Sequence, residues 1–534
     1  MAYRFSHIPV KETGYSSKLV TDYLDQDGPI KNFHRFSPDM VGLAHAIEER
    51  KKYPVDRQVL TETLYRQYTG LNKHPNVEAN IASLSNDNTF TICTAHQPNL
   101  MTGYLYFVYK ILHAVKLANE LNTLHPGKHF VPVYYMGSED NDLDELGVFR
   151  FRSQKYRWDG NGQSGAVGQM ATASLKPLLN EVFRLFGPPG KDTEWLQKTI
   201  SDAYLAHKTI GSATQYLVNE LFGQYGVIVL DPDDAALKAQ YIPVMQDELL
   251  NQSAYPLLTK QTEALSANYK VQAYPRPINL FYLDSQLRER IEQQGDKWVV
   301  LNTAISWSKE QLLEELNQHP ERFSPNVMLR GLFQETILPD VAFIGGGAEV
   351  AYWMQLKPVF EHYNGFFPCI LLRQSAMVMN RLQDKLQNDL GYSLKEIFKK
   401  EEVLIDEYVA AHATADWQTA TEADALAGII AGIKQKAILV DSTLGPSAEA
   451  ALKKMTYQLQ VLEKKMFRAE KRKQEVQLDR IYRLKSALFP NGSLQERTDN
   501  FAEYFMELGP SFFDAIIDGA SPLGDKFLVI HHDA

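Results

Sequence analysis

A chain of 534 residues, 44% hydrophobic and 22% charged, is long enough for several cores and too apolar to remain disordered. Its net charge of −10 argues against the broad basic surface that non-specific nucleic-acid binding requires, so no nucleic-acid partner is expected. Cys93 and Cys369 each lie in an apolar run, and the 14 histidines show no ligand spacing, so buried thiols and no protein-bound metal are expected.

In chain order, the first 85 residues read as helical and polar, with apolar residues three and four apart in Met40–Lys51 and Arg57–Gln67. A β-rich run, Phe90 to Cys93, then leads through His96-Gln97-Pro98-Asn99 into an amphipathic segment from Tyr104 to Leu121. A second apolar run, Phe130 to Met136, ends in the acidic cluster Glu139 to Glu145. Together these form a strand–helix–strand unit, and in open parallel sheets ligands collect at the carboxyl ends of strands. Residues 155–220 read as a helical insertion. Val227–Leu230, Val341–Ile344 and Phe367–Leu372 are further strand candidates, which predicts an α/β doubly wound core.

Beyond Met377 the chain reads as helical. Met455, Leu459, Leu462, Met466 and Ala469 form a seam of three- and four-residue spacing, the pattern of a coiled coil. Its partner is either an earlier helix such as Met379–Tyr408 or a second copy of the chain. No run of about 18 apolar residues and no leader pattern occurs, which predicts a cytoplasmic protein without a membrane partner.

Four constellations could carry chemistry. The first is His96 and Gln97 followed by Thr102, Gly103, Tyr106 and Lys110 at a strand-to-helix crossing, where backbone N–H groups, a glycine and two basic side chains suit a phosphoryl or carboxylate group. The competing reading is a tight turn with His96 in the core. The second is Glu139, Asp140, Asp142, Asp144 and Glu145, carboxylates suited to an amine or a magnesium–nucleotide, or else a solvated helix start. The third joins Arg330 to Gly345-Gly346-Gly347-Ala348-Glu349 and Tyr352, with Lys357 beyond; here glycines permit close approach of a ligand, while Tyr352 and Trp353 also fit a core. A fourth stretch, Phe489-Pro490-Asn491-Gly492 through Arg497, is a turn followed by an anion-capable arginine.

Taken in order, Gln97-Pro98 with Thr102–Tyr106 and Tyr109-Lys110, Glu139-Asp140-x-Asp142-x-x-Glu145, Phe323–Arg330, Ile344–Lys357 and Phe489–Arg497 resemble the BshC family of bacillithiol biosynthesis. The resemblance implies a Rossmann-like nucleotidyltransferase core, akin to class I aminoacyl-tRNA synthetases, with helical insertions and a C-terminal coiled coil that supports a homodimer. The implied segments are 1–154 (N-terminal helices and first half of the core), 155–220 (helical insertion), 221–376 (second half of the core), 377–446 (helical connection) and 447–534 (coiled-coil arm and C-terminal segment). The implied activity is a ligase step making a low-molecular-weight thiol, with L-cysteine joined to glucosaminyl-malate through an amide bond. ATP, with Mg2+ accompanying the nucleotide, is the expected activator, by an acyl-adenylate or an acyl-phosphate.

On this reading His96, Asp140, Asp142 and Glu349 are the catalytic candidates. Gln97, Thr102, Gly103, Tyr106, Lys110, Glu139, Arg330, Gly345, Gly346, Tyr352, Lys357 and Arg497 are the candidates for binding substrate or nucleotide. Two positions depart from the family pattern: Asn141 stands where a histidine is usual, and Gly347-Ala348 replaces Pro-Gly. A non-catalytic nucleotide- or thiol-binding protein acting through its coiled coil is the alternative; a synthetase-like RNA binder is disfavoured by the acidic balance.

Overall fold

The computed structural model describes residues 3–533. The chain divides into two compact units, one of residues 1–381 with 493–534 and the other of residues 382–492.

The first unit is organised by a five-stranded parallel sheet of β1 (Thr89–His96), β2 (His129–Met136), β3 (Ile228–Leu230), β4 (Asp340–Gly345) and β5 (Cys369–Leu372). In space the order is β5-β4-β1-β2-β3. These strands are buried almost throughout, which is why they read as continuous apolar runs rather than alternating ones. β1 is followed by the 20-residue helix Leu105–Leu124, which returns the chain to β2. From β1 the order grows towards β2 in one direction and towards β4 in the other. This reversal opens a crevice at the carboxyl ends of β1 and β4, and all five strands lie where the sequence predicts them.

Two other sheets differ from the sequence reading. The first 85 residues are not all helical, because Tyr3–Pro9 is a strand paired antiparallel with Lys526–His532, which also pairs in parallel with Ala376–Asn380. By compactness, residues 493–534 therefore fall in the first unit. The stretch between β3 and β4 carries an antiparallel sheet ordered Ser306–Trp307, Lys297–Val300, Leu287–Gln294, Leu280–Asp284 and Phe323–Pro325.

The second unit contains the helical hairpin. Gly445–Lys473 runs antiparallel to Ala420–Val440, fixed by the Lys434–Glu449 ion pair, the Trp417–Phe467 ring contact and the Thr419 N–H donating to Glu463 at 3.0 Å. The intrachain partner is thus Ala420–Val440 and not Met379–Tyr408, because Ser442–Leu444 turns the chain directly between the two. The seam helix ends at Lys473, before Glu475–Leu488. Met455 and Leu462 remain about half exposed (45% and 50%).

Beneath the amino end of the parallel sheet, Asp340 is fully buried, accepting from the Thr91 hydroxyl and from Gln334 Nε2 at 3.0 Å beside buried Glu335. Burial pushes the Asp340 carboxyl up to about 6. A carboxyl whose folded value lies above its unfolded value of about 4 stabilises the fold below that value, and the contribution is lost as pH rises through 6. Asp340→Asn is therefore expected to flatten the fall in the urea midpoint between pH 4 and 6, a difference of about 3 kcal/mol for a two-unit shift. An unchanged pH profile would mean that another group carries that dependence.

Candidate functional site

A cleft of about 430 Å³ lies over the carboxyl ends of β1 and β4. Its floor is built from the segment after each strand, as the strand order requires. His96 ends β1; its ring meets Tyr106 edge-on at 5.3 Å, and its Nε2 is buried without a hydrogen-bond partner. Burial, then the charges of Lys110 and Arg373, push this imidazole well below the usual histidine range, so it is neutral at neutral pH.

Lys110, on the second turn of Leu105–Leu124, points back under the strand end. Its Nζ donates to the Ala95 carbonyl at 2.9 Å and pairs with Glu349. Burial lowers this lysine, opposed by the Glu349 charge. Glu349 also accepts from the Gly346 N–H at 2.8 Å, closing the first turn of the helix Gly347–Trp353. Gly345 is required by close approach, since a Cβ there would lie 2.8 Å from that of Glu349 and 2.9 Å from the Phe343 ring.

Arg330 lies on Val327–Ile337, a helix capped by Asn326. It donates to the Tyr352 hydroxyl at 2.6 Å and lies over the Tyr135 ring at 5.5 Å. Burial works against its charge, but Tyr352, Tyr135 and Glu349 more than offset this and raise its pKa. Arg373, just past β5, is held by Glu496 through bonds of 2.6 and 3.0 Å and faces Tyr106 at 5.3 Å. Lys110, Arg330, Arg373 and Arg497 give the cleft several cationic groups.

Carboxylates line the cleft as well. Asp140 accepts from Gln97 Nε2 at 3.1 Å. Glu139 pairs with buried Lys238, which also bonds Asp233 at 3.0 Å and the Glu321 carbonyl at 2.7 Å. Burial opposes the Lys238 charge, but Glu139 and Asp233 outweigh it and hold the lysine protonated. Behind them burial, followed by the Asp233 charge, raises Asp231 to about 7. Asn141, at the departure from the family pattern, accepts from Arg288 at 3.1 Å.

The structure thus brings His96, Gln97, Tyr106, Lys110, Glu139, Asp140, Arg330, Gly346, Glu349, Tyr352 and Arg497 to one cleft. Others have structural contacts. Thr102 (φ 63°) and Gly103 (φ 65°) form a left-handed turn pinned by Asn500 Nδ2, which donates to the carbonyls of Met101 and Gly103 at 2.8 and 2.7 Å. Asp142 caps Leu143–Leu146, Gly345 accepts from the Arg373 N–H at 2.8 Å, and Lys357 donates to the Asn32 carbonyl at 3.1 Å. Arg288, Arg373 and Asn326 line the cleft without having been singled out as candidates. Arg373 had a signal as the polar residue after the apolar run ending at Leu372, whereas Arg288 lies in a strand with no local apolar pattern. Among the described residues no three His, Cys, Asp or Glu side chains converge as for a metal ion, and no helix is long and apolar enough to cross a membrane.

Residues 3–374 match the family described as "Bacillithiol biosynthesis BshC, N-terminal Rossmann-like domain", and residues 376–532 match its C-terminal coiled-coil domain. A protein of Flavobacterium psychrophilum is 39% identical over 98% of this chain and 99% of its own length. Proteins of Flavobacterium johnsoniae and Christiangramia forsetii are each 38% identical, over 98% of this chain and 99% and 98% of their own lengths. All three bear the name "Putative cysteine ligase BshC". With both domains matched in order over nearly the whole length and a Rossmann-like sheet at its centre, the chain belongs to the BshC family of bacillithiol biosynthesis.

Proposed function

We propose that this chain joins L-cysteine to glucosaminyl-malate through an amide bond, the carboxylate being activated by ATP. The observation that carries the reading is the cleft at the β1/β4 switch point, lined by both cationic and carboxylate side chains, in a chain whose relatives are named cysteine ligases. Condensing a carboxylate with an amine in water is uphill, and ATP, when bound, converts a carboxylate oxygen into a leaving group. The buried unpartnered Nε2 of His96 and the guanidinium groups of Arg330 and Arg373 fit the oxygens of such a group. Mg2+ would accompany the nucleotide.

The amine nitrogen forms the new C–N bond as the C–O bond to the leaving group breaks, and the amine gives up a proton. Asp140, oriented by Gln97, is assigned to the amine and its proton. Lys110 and Arg330 hold the developing oxyanion. Glu349 keeps Lys110 charged and positioned. Self-association through the hairpin is part of the reading, supported by the exposed apolar side chains Ile429, Ile433, Met455 and Leu462.

Asn141 favours a second reading, since it stands where the family pattern usually has a histidine and its amide oxygen is engaged with Arg288. That reading is a thiol- or nucleotide-binding protein without catalysis. Deleting the gene and measuring bimane-labelled thiols by mass spectrometry separates the two. Loss of bacillithiol with accumulation of glucosaminyl-malate is expected for the ligase, whereas unchanged thiol pools would favour the binding protein.

A further inference from the structure

The antiparallel sheet between β3 and β4 does more than support the cleft. Its face forms a second hollow of about 290 Å³, contiguous with the first through Asp140, Arg288, Asn326 and Val327. Phe281 pairs with Arg290 and Leu283 with Arg288 across the Leu280–Asp284 and Leu287–Gln294 strands. Opposed residues of an antiparallel pair share a face, so both arginines stand on the side of Phe281. The Arg288 guanidinium lies 3.9 Å over the Phe281 ring and its Nε is buried without a partner.

Arg276 adds a third guanidinium from a loop that is rigidly held. Its backbone N–H donates to Asn279 Oδ1 at 3.2 Å and its carbonyl accepts from Asn279 Nδ2 at 2.7 Å, while Asn279 is anchored on buried Glu248 at 2.8 Å. Among the described residues the side chains of Arg276 and Arg290 enter no ion pair or hydrogen bond. Asp140 is the one carboxylate lining the hollow, and its charge, with that of Glu139, compensates Arg288. Among the lining residues that leaves Arg276 and Arg290 without a carboxylate partner, an excess of positive charge that an anion would offset. Tyr274, 74% exposed, adds an aromatic face at the rim.

The geometry points to a subsite for a polyanionic group, either paired carboxylates or a phosphate chain, on a ligand whose reacting end lies in the main cleft. The inference rests on the proposed ligation only in naming the two carriers, the malate end of the acceptor and the triphosphate of the nucleotide. Bidentate guanidinium contacts to planar carboxylates or phosphates supply both affinity and orientation.

Calorimetric titration of the full chain with glucosaminyl-malate and, separately, with inorganic tripolyphosphate tests it at two salt concentrations. The variants are Arg276→Gln combined with Arg290→Gln, each also made singly, and Lys297→Gln as a single-charge control outside the hollow. The double variant is expected to bind one of the two anions on the order of tenfold or more weakly, with a shallower salt dependence, while Lys297→Gln leaves both unchanged. Selective loss for glucosaminyl-malate assigns the hollow to the dicarboxylate, and selective loss for tripolyphosphate to the phosphates. A wild-type chain that binds neither, or a double variant that melts normally and binds both like wild type, overturns the subsite. Binding is read without turnover, so that result would leave the ligation itself to the thiol measurement.

Discussion

Lys110→Met is expected to lower the ligation rate by about 10²- to 10³-fold, the usual cost of removing one preorganised electrostatic group. Its Nζ sits buried between the Ala95 carbonyl and Glu349 in the lining of the cleft. Methionine keeps the volume but leaves Glu349 without its cation. The loss should fall on kcat, because a group that meets developing charge acts in the transition state. Lys110→Arg should not rescue, since a planar fork cannot replace a single ammonium held by one carbonyl and one carboxylate. In the wild type, burial of Lys110 should bring the alkaline limb of the rate profile below the ordinary lysine range, and the variant should lack that limb. A folded Lys110→Met chain within tenfold of the wild-type rate would remove Lys110 from the mechanism.

Glu496→Ala should have the largest effect on stability. Glu496 accepts from both Arg373 Nη atoms, from the Ser375 hydroxyl at 3.3 Å and from the Ala376 N–H at 3.2 Å. Arg373 is 4% exposed, so deleting the carboxylate leaves a buried cation uncompensated, at a cost of about 3–5 kcal/mol. The check is the urea midpoint of the Glu496→Ala, Arg373→Ala and double variants. The double variant should be less unstable than the sum of the singles, because it removes the stranded charge as well. Additive losses would mean that the two groups do not act as a pair.

What the sequence revealed of this architecture follows from burial. The strands of the central sheet are covered on both faces, so Phe90–Cys93 and Val341–Ile344 are plain apolar runs, and the polar residues after them mark the cleft. Leu287–Gln294 escaped because Leu-Arg-Glu-Arg-Ile-Glu-Gln-Gln contains only two apolar residues and is composed of good helix formers. Its strand character comes from pairing with neighbours on both sides, a tertiary effect. Tyr3–Pro9 did carry a local signal in the alternation of Phe5 and Ser6, but its partner lies more than 500 residues away. Asp142 and Lys357 show the limit at the site. Their residue types suit ligands and backbone contacts equally, and only the positions of Glu145 and Asn32 distinguish the two uses.

The pairing of Tyr3 with His532 also bears on how the chain comes off the ribosome. At about 5–20 residues per second, the partner of the first strand emerges roughly half a minute to two minutes after it. Throughout that interval Tyr3–Pro9 presents an open hydrogen-bonding edge, the feature that recruits other strands. Helices that need only local contacts, such as the Ala420–Lys473 hairpin, can form while the nascent chain still lacks residues 526–532. Closure of the three-stranded sheet is therefore a late event in biosynthesis, and chaperone demand should be greatest just before it.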